Sequence, residues 1–269
     1  MKIGVFDSGV GGMTVLSELQ FRMPDLSFVY LGDTAHVPYG TKSAAQIEKL
    51  SIQCARRLQE KKIDVLVVAC NTASSLALDA LAREMHPVPV FGVVQPGIEA
   101  VLTSLEALLP IRGNDVPILV LATRATIRSH AYGKKLAGVV ASPRIIEQAC
   151  PLLVPMIEEG WTDHPLLHQT IHEYIHPYLK FEEPGVALLG CTHYPWIHRA
   201  FEQALPGWKV VNSARAIAES LERSEIFRKR KKVPPEVSGS FHFRSPKIEW
   251  IFTDPEAVPD FAKKWIEAN

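Results

Sequence analysis

Short apolar runs that stop at Gly, Asn, Asp or Thr, separated by longer amphipathic stretches, leave this chain few folds to choose from. The runs cover residues 2–6, 26–31, 65–69, 89–93, 118–121, 139–142, 186–189 and 209–211. They are rich in Val and Leu and lack strict alternation, the pattern of strands covered on both faces in a mostly parallel sheet. Between them, residues 44–61, 72–84, 151–159, 165–179 and 194–204 read as helices, several opening beside Ser, Thr or Pro. The repeated β–α alternation predicts an α/β fold.

An internal echo divides the chain. One strand ends at Phe6-Asp7-Ser8-Gly9 and a later one at Ala69-Cys70-Asn71-Thr72. In the second half, one ends at Ala122-Thr123-Arg124-Ala125-Thr126 and a later one at Gly190-Cys191-Thr192-His193. Cys70 and Cys191 follow Phe6 and Ala122 by 64 and 69 residues. This predicts two pseudo-symmetric α/β lobes with the active site in the cleft between them. The chain crosses near 94–97, giving a first lobe of 1–96 and a second of 97–210, with 211–269 packing back on the first. A chain of 269 residues has room for two such units.

The 29 Lys and Arg residues match the 29 Asp and Glu, so no global field draws nucleic acid or an anionic membrane. The first residues run directly into a strand, leaving no signal peptide, and no apolar run reaches the roughly 20 residues that span a bilayer. A cytoplasmic protein is expected. The basic run Arg228-Lys229-Arg230-Lys231-Lys232 before Pro234-Pro235 reads as a solvated turn. His164, His168, His172 and His176 recur every four residues and read as a surface stripe, so no metal is assigned to them.

The four cysteines form no C-x-x-C pair, and a disulfide framework does not suit this size and compartment, which leaves inert buried thiols or reactive ones. Cys70 and Cys191 each stand at a strand end just before a helix, where open α/β sheets bind ligands and the helix dipole favours a thiolate. Backbone donors there, with Asn71, Thr72 and Thr192, suit a substrate carboxylate. Asp7 and Ser8 read as facing the same crevice, with Asp7 exchanging protons with a thiol or else capping the next helix. His193, two residues beyond Cys191, is a natural partner for that thiol or a structural histidine. The loop Gly9-Val10-Gly11-Gly12 resembles a phosphate cradle, but Thr14 stands where a dinucleotide fingerprint needs Gly or Ala. Two thiols on facing lobes suit inversion at an α-carbon: one removes a proton from one face and the other delivers one to the opposite face. No pyridoxal phosphate motif is present, so no cofactor is assigned, and preorganised donors must stabilise the developing carbanion.

These segments resemble the glutamate racemases of bacterial cell-wall synthesis. The likeness rests on Gly4-Val5-Phe6-Asp7-Ser8-Gly9-Val10-Gly11-Gly12, Tyr30-Leu31-Gly32-Asp33-Thr34-Ala35 and Pro38-Tyr39-Gly40-Thr41-Lys42-Ser43. It rests also on Ala69-Cys70-Asn71-Thr72-Ala73-Ser74, Gly92-Val93-Val94-Gln95-Pro96-Gly97, Leu189-Gly190-Cys191-Thr192-His193-Tyr194-Pro195 and the stretch from Cys150 through Glu158. The resemblance implies cofactor-independent interconversion of L- and D-glutamate, supplying D-glutamate for peptidoglycan, in a protein expected to form homodimers. By the same likeness Cys70 acts on the α-proton of the D-enantiomer and Cys191 on that of the L-enantiomer, assisted by Asp7 and His193 respectively. Ser8, Tyr39, Gly40, Asn71, Thr72, Thr123, Thr126 and Thr192, together with Asp7, hold the substrate, and Asp33 and Glu158 stand nearer the rim. The chain departs from the family at Asn212, where Asp is common, and at Ala122 and Ala125, where Gly is; Arg124 adds a charge near the cleft. Alternatives are an aspartate or hydantoin racemase of the same two-thiol type, a diverged binding protein without catalysis, and a nicotinamide-dependent oxidoreductase.

Overall fold

The computed structural model describes residues 1–112, 116–140, 144–179, 184–229 and 248–268. Its strands are β1 (Lys2–Asp7), β2 (Ser27–Gly32), β3 (Val65–Val68), β4 (Val90–Gly92), β5 (Ile118–Ala122), β6 (Ile145–Ala149), β7 (Val186–Gly190), β8 (Lys209–Asn212) and β9 (Ile248–Phe252). They form two sheets, ordered β4-β3-β1-β2-β9 and β6-β5-β7-β8, with every described pair parallel. Read from their central strands, the two share one winding. β2 and β6 lie on one side of β1 and β5, and β3 and β7 on the other, with β4 and β8 beyond them. β9 is an addition to the first sheet. The echo in the sequence is thus an echo in topology.

Each sheet is buried on both faces, as its unalternating runs require. Ile3, Val5, Phe28, Tyr30, Val65 and Val67 enter one core of the first sheet, while Phe6, Val29, Leu31, Leu66 and Val68 enter the opposite one. In the second sheet Leu119, Leu121, Ala187 and Leu189 face one core, and Ile118, Val120, Val186 and Leu188 the other. Helix Val94–Arg112 lays Val94, Ile98, Val101 and Leu105 on the second sheet. Helix Ser213–Arg223 inserts Ala214, Ile217, Ala218 and Leu221 into the first sheet's core beside helix Met13–Arg22.

Several sequence expectations shift. Of the strand expected over 139–142, Val139 and Val140 sit in a turn after helix Ala131–Ala137, residues 141–142 lie outside the described residues, and the edge strand is β6, Ile145–Ala149. The expected helix over 72–84 is two helices, Asn71–Leu76 and Leu78–Glu84, broken at Ala77. The stretch at 194–204 opens as a 3₁₀ turn, Tyr194–Ile197, before helix His198–Ala204, as short i→i+3 turns at helix starts commonly do. The histidine stripe lies on the side of helix Pro165–Ile175 away from buried Leu167, Ile171 and Ile175. There His164 caps the helix through Leu166 N–H, His168 meets Asp163, and His172 stacks on His176. Lys229 pairs with Glu225, while residues 230–232 and 234–235 of the basic run lie outside the described residues.

Candidate active site

Parallel pairing carries the thiols to neighbouring strand ends. The Phe6 carbonyl accepts from the N–H groups of Ala69 at 2.8 Å and Cys70 at 3.4 Å, which sets Cys70 beside the end of β1. Cys70 then caps helix Asn71–Leu76: its Sγ accepts from Ala73 N–H at 3.5 Å and its S–H donates to Ser8 Oγ at 3.4 Å. Only 4% of Cys70 is exposed. Burial first, and then the Asp7 carboxylate, push its thiol up to about 12, so Cys70 rests protonated at neutral pH.

Cys191, equally enclosed, follows β7, and its Sγ lies 3.9 Å from His193 Nδ1. The other ring nitrogen of His193 meets Glu158 Oε1 at 2.8 Å. Burial would lower the pKa of His193, but the hydrogen bonds and charges of Cys191 and Glu158 outweigh it and raise it to about 10. One site therefore holds a protonated thiol on one lobe and, on the other, a protonated imidazole beside the second thiol. Cys191 is close enough for its charge to act on Cys70.

His193 also links pH to stability. Its native pKa lies above the reference value of 6.5, so its stabilising contribution is complete below about 6.5 and is lost as pH rises through about 10. Glu158→Gln keeps an acceptor for the ring but removes the charge. The variant should lose less stability than the parent between neutral pH and pH 10, as read from urea midpoints at both. Equal losses would show that Glu158 does not hold the imidazolium.

Polar contacts close the lobes over this pair. Thr192 Oγ1 donates to Asp7 Oδ1 at 3.2 Å, and the Thr14 hydroxyl proton is shared between the carbonyls of Gly11 and Thr192, both at 2.9 Å. The hydroxyls of Thr72, Thr123 and Thr126 form a triangle with sides of 2.9, 3.1 and 3.0 Å across the lobes. Two glycines permit the approach. A Cβ on Gly11 would overlap His193 and Thr192, and one on Gly40 would stand 2.8 Å from Thr123 Cβ. The glycine loop thus serves close apposition of the lobes. Asp7 does not cap the following helix, whose N-cap is Gly12; its Oδ2 accepts from Gly9 N–H at 3.0 Å. Burial pushes the Asp7 carboxyl up, against the opposing pull of His193, the Gly9 and Gly12 N–H groups and the Thr192 hydroxyl.

Ser8, Cys70, Asn71, Thr72, Thr123, Thr126, Thr192 and His193 gather around this cleft, but two of the proposed binders are committed elsewhere. Tyr39 is buried and its hydroxyl proton goes to Asp33 Oδ2 at 2.6 Å. The Asn71 amide is taken by Tyr132 and Ser213. Asp33 is not at the rim: only 1% exposed, it also accepts from Thr253 at 2.8 Å and meets His36 at 2.8 Å. Glu158, with 26% of its side chain exposed, does lie nearer the surface. Arg124 is exposed beyond the Thr123 cap, and Asn212 caps helix Ser213–Arg223 through Arg215 N–H, replacing the commoner Asp without loss of the cap. Thr14, Tyr132 and Ser213 escaped the sequence reading, since nothing in their local sequence signals contacts made across the lobes. A groove of about 370 Å³ lies apart from the thiols, lined by Thr41, Lys42, Leu76, Ala125, Arg128 and Ser129 among others.

Known proteins resemble this chain in sequence and fold. A family model described as Asp/Glu/hydantoin racemase matches residues 14–221. A glutamate racemase from Sulfurihydrogenibium is 42% identical over 229 residues, 84% of each chain. The solved glutamate racemase of Campylobacter jejuni superposes with a TM-score of 0.79 at 35% identity, covering 99% of this chain and 98% of that one. That of Francisella tularensis, solved in complex with D-glutamate, gives 0.82 at 28% identity, covering 99% and 93%.

Proposed function

The chain belongs to the Asp/Glu/hydantoin racemase family, and we propose that it interconverts L- and D-glutamate by a two-base mechanism using Cys70 and Cys191. The observation that carries this reading is the pair of thiols ending β3 and β7, joined across the lobes by Thr192 and Asp7.

In the L-to-D direction Cys191 is the base and Cys70 the acid. Cys191, acting as a thiolate beside His193, takes the α-proton of L-glutamate; the electron pair left behind delocalises into the α-carboxylate. The protonated Cys70 delivers its proton to the opposite face. Cys70 is then a thiolate and Cys191 a thiol, and exchange through Asp7, His193 and solvent restores the start. Each thiol acts as acid in one direction and base in the other. The carbanionic state is the costly one, and we assign its stabilisation to the hydroxyls of Thr72, Thr123, Thr126 and Thr192, Ser8 Oγ, and the backbone of Tyr39, Gly40 and Asn71. No cofactor is needed in this scheme.

The lobes are taken as 1–96 with 211–269, and 97–210, with the substrate between them, except that Val211 and Asn212 finish β8 and so stay with the second sheet. A homodimer is proposed, and so is a role in supplying D-glutamate for peptidoglycan, which would place the protein in the cytoplasm. Among the described residues no helix is long and apolar enough to cross a membrane.

The test is incubation with L-glutamate in deuterated water and no added cofactor, following circular dichroism and α-deuterium together. Loss of the dichroic signal with deuterium entering chiefly the D product is the expected result. Exchange of aspartate alone would keep the mechanism and change the substrate; no exchange with either amino acid would overturn the reading.

A further inference from the structure

We propose that Tyr132, seconded by Ser213, is a positioning residue that sets the two thiols relative to one another. The inference rests on the two-thiol reading above and deepens it. Tyr132 is fully buried in helix Ala131–Ala137 of the second lobe and touches the chain beside both cysteines. Its hydroxyl donates to Oδ1 of Asn71, the residue after Cys70, at 2.5 Å. Its ring lies against Gly190, the residue before Cys191: a Cβ there would sit 3.3 Å from Tyr132 Cε2.

Hydrogen-bond polarity leaves this linkage one arrangement. The only proton of Ser213 Oγ goes to the Leu189 carbonyl at 3.2 Å, so toward Asn71 the hydroxyl can only accept. Asn71 Nδ2 therefore faces Ser213, at 3.2 Å, which turns Oδ1 toward Tyr132 and makes the phenol the donor. Burial, aided by the nearby Cys191 charge, holds that phenol protonated well above its ordinary range, so the donor persists across working pH. The result is a continuous buried bridge, Asn71 to Ser213 to Leu189, with Tyr132 closing it on the other side. It ties the residue after one thiol to the residues just before the other. The hydroxyl protons of Tyr132 and Ser213 are both engaged, with Asn71 Oδ1 and the Leu189 carbonyl, so neither residue passes a proton to the substrate and their effect runs through thiol placement.

Proton transfer depends steeply on donor–acceptor geometry, and a displacement of about 1 Å costs on the order of a hundredfold in rate. The test uses the intact protein with Tyr132→Phe, Ser213→Ala and, as a conservative restoration of the hydroxyl, Ser213→Thr. Both racemisation constants and the isotope effect with α-deuterated glutamate are measured, with thermal unfolding recorded alongside. Tyr132→Phe and Ser213→Ala are expected to lower kcat by about ten- to hundredfold with KM little changed, and to enlarge the isotope effect as proton transfer becomes limiting. Ser213→Thr should recover most of the loss. A fall in activity that merely follows loss of folded protein, with an unchanged isotope effect, would overturn the proposal. So would parental kinetics in both hydroxyl deletions, although the two-thiol reading would survive that result. A parent protein that exchanges no α-proton would remove both.

Discussion

Cys191→Ala is expected to lower racemisation by at least about a thousandfold while leaving slow one-sided chemistry behind. With only Cys70 in place, D-glutamate should acquire deuterium at its α-carbon without changing configuration, because the proton leaves and returns on one face. L-Glutamate should stay unlabelled. Cys70→Ala should show the mirror outcome, with labelled L-glutamate and inert D-glutamate. Nuclear magnetic resonance of the α-position, read beside the dichroic signal, separates inversion from exchange. If either single variant still inverts configuration at the parental rate, that thiol is not one of the two bases. Cys54 and Cys150 supply the control. Both are buried, burial pushes both thiols up, and neither caps a helix at the cleft, so Cys54→Ala and Cys150→Ala should retain racemisation.

The second large effect is expected at Gly11. Its missing Cβ is the space in which His193 and Thr192 meet the first lobe. Both neighbours are buried and hydrogen-bonded, His193 to Glu158 and Thr192 to Asp7, so neither can swing aside without breaking a polar contact. Gly11→Ala should therefore hold the lobes apart. Overpacking of this kind costs about 1–3 kcal/mol, which for a chain of this size corresponds to a fall in Tm of several degrees, at about 2–4 °C per kcal/mol. The loss in kcat/KM should exceed what that fall implies, since the displaced groups are those proposed to move protons. Calorimetry and steady-state kinetics on the same preparation would decide; an unchanged Tm with parental kinetics would show that the lobes do not close as tightly as described.

The sheet cores and the cysteine-bearing strand ends were legible because they rest on local signals: Val- and Leu-rich runs that end in polar residues. The misses share a different character. β6 reads Ile-Ile-Glu-Gln-Ala, an edge strand half-buried throughout, so its apolar signal was weaker than that of the nearby Val139-Val140 pair, which forms a turn. β9 is likewise an edge strand with no fully buried residue, and it joins β2 from more than two hundred positions away. Asp33 looked like a rim carboxylate because its partner Thr253 comes from that same distant segment. Tyr132 and Ser213 carried no sequence signal, since a buried polar bridge exists only once both lobes are in place. Helix boundaries erred where a single residue, such as Ala77, ends one turn and starts another.

The two seams between the halves of the molecule are chemically unlike. On one side helices Val94–Arg112 and Ser213–Arg223 pack against each other, the first burying Val94 and Ile98 in the second sheet's core and the other burying Ala214, Ile217 and Leu221 in the first's. At the mouth the contact is made largely of hydroxyls and carboxylates: Thr72 against Thr123 and Thr126, and Thr192 against Asp7. Parting the mouth exchanges these bonds for bonds to water and uncovers little hydrocarbon. Its heat-capacity change should then be small beside the roughly 12–15 cal/mol/K per residue of global unfolding. Opening at the mouth would accordingly give a nearly straight van't Hoff plot, whereas separating the two helices, which exposes hydrocarbon, would give a curved one.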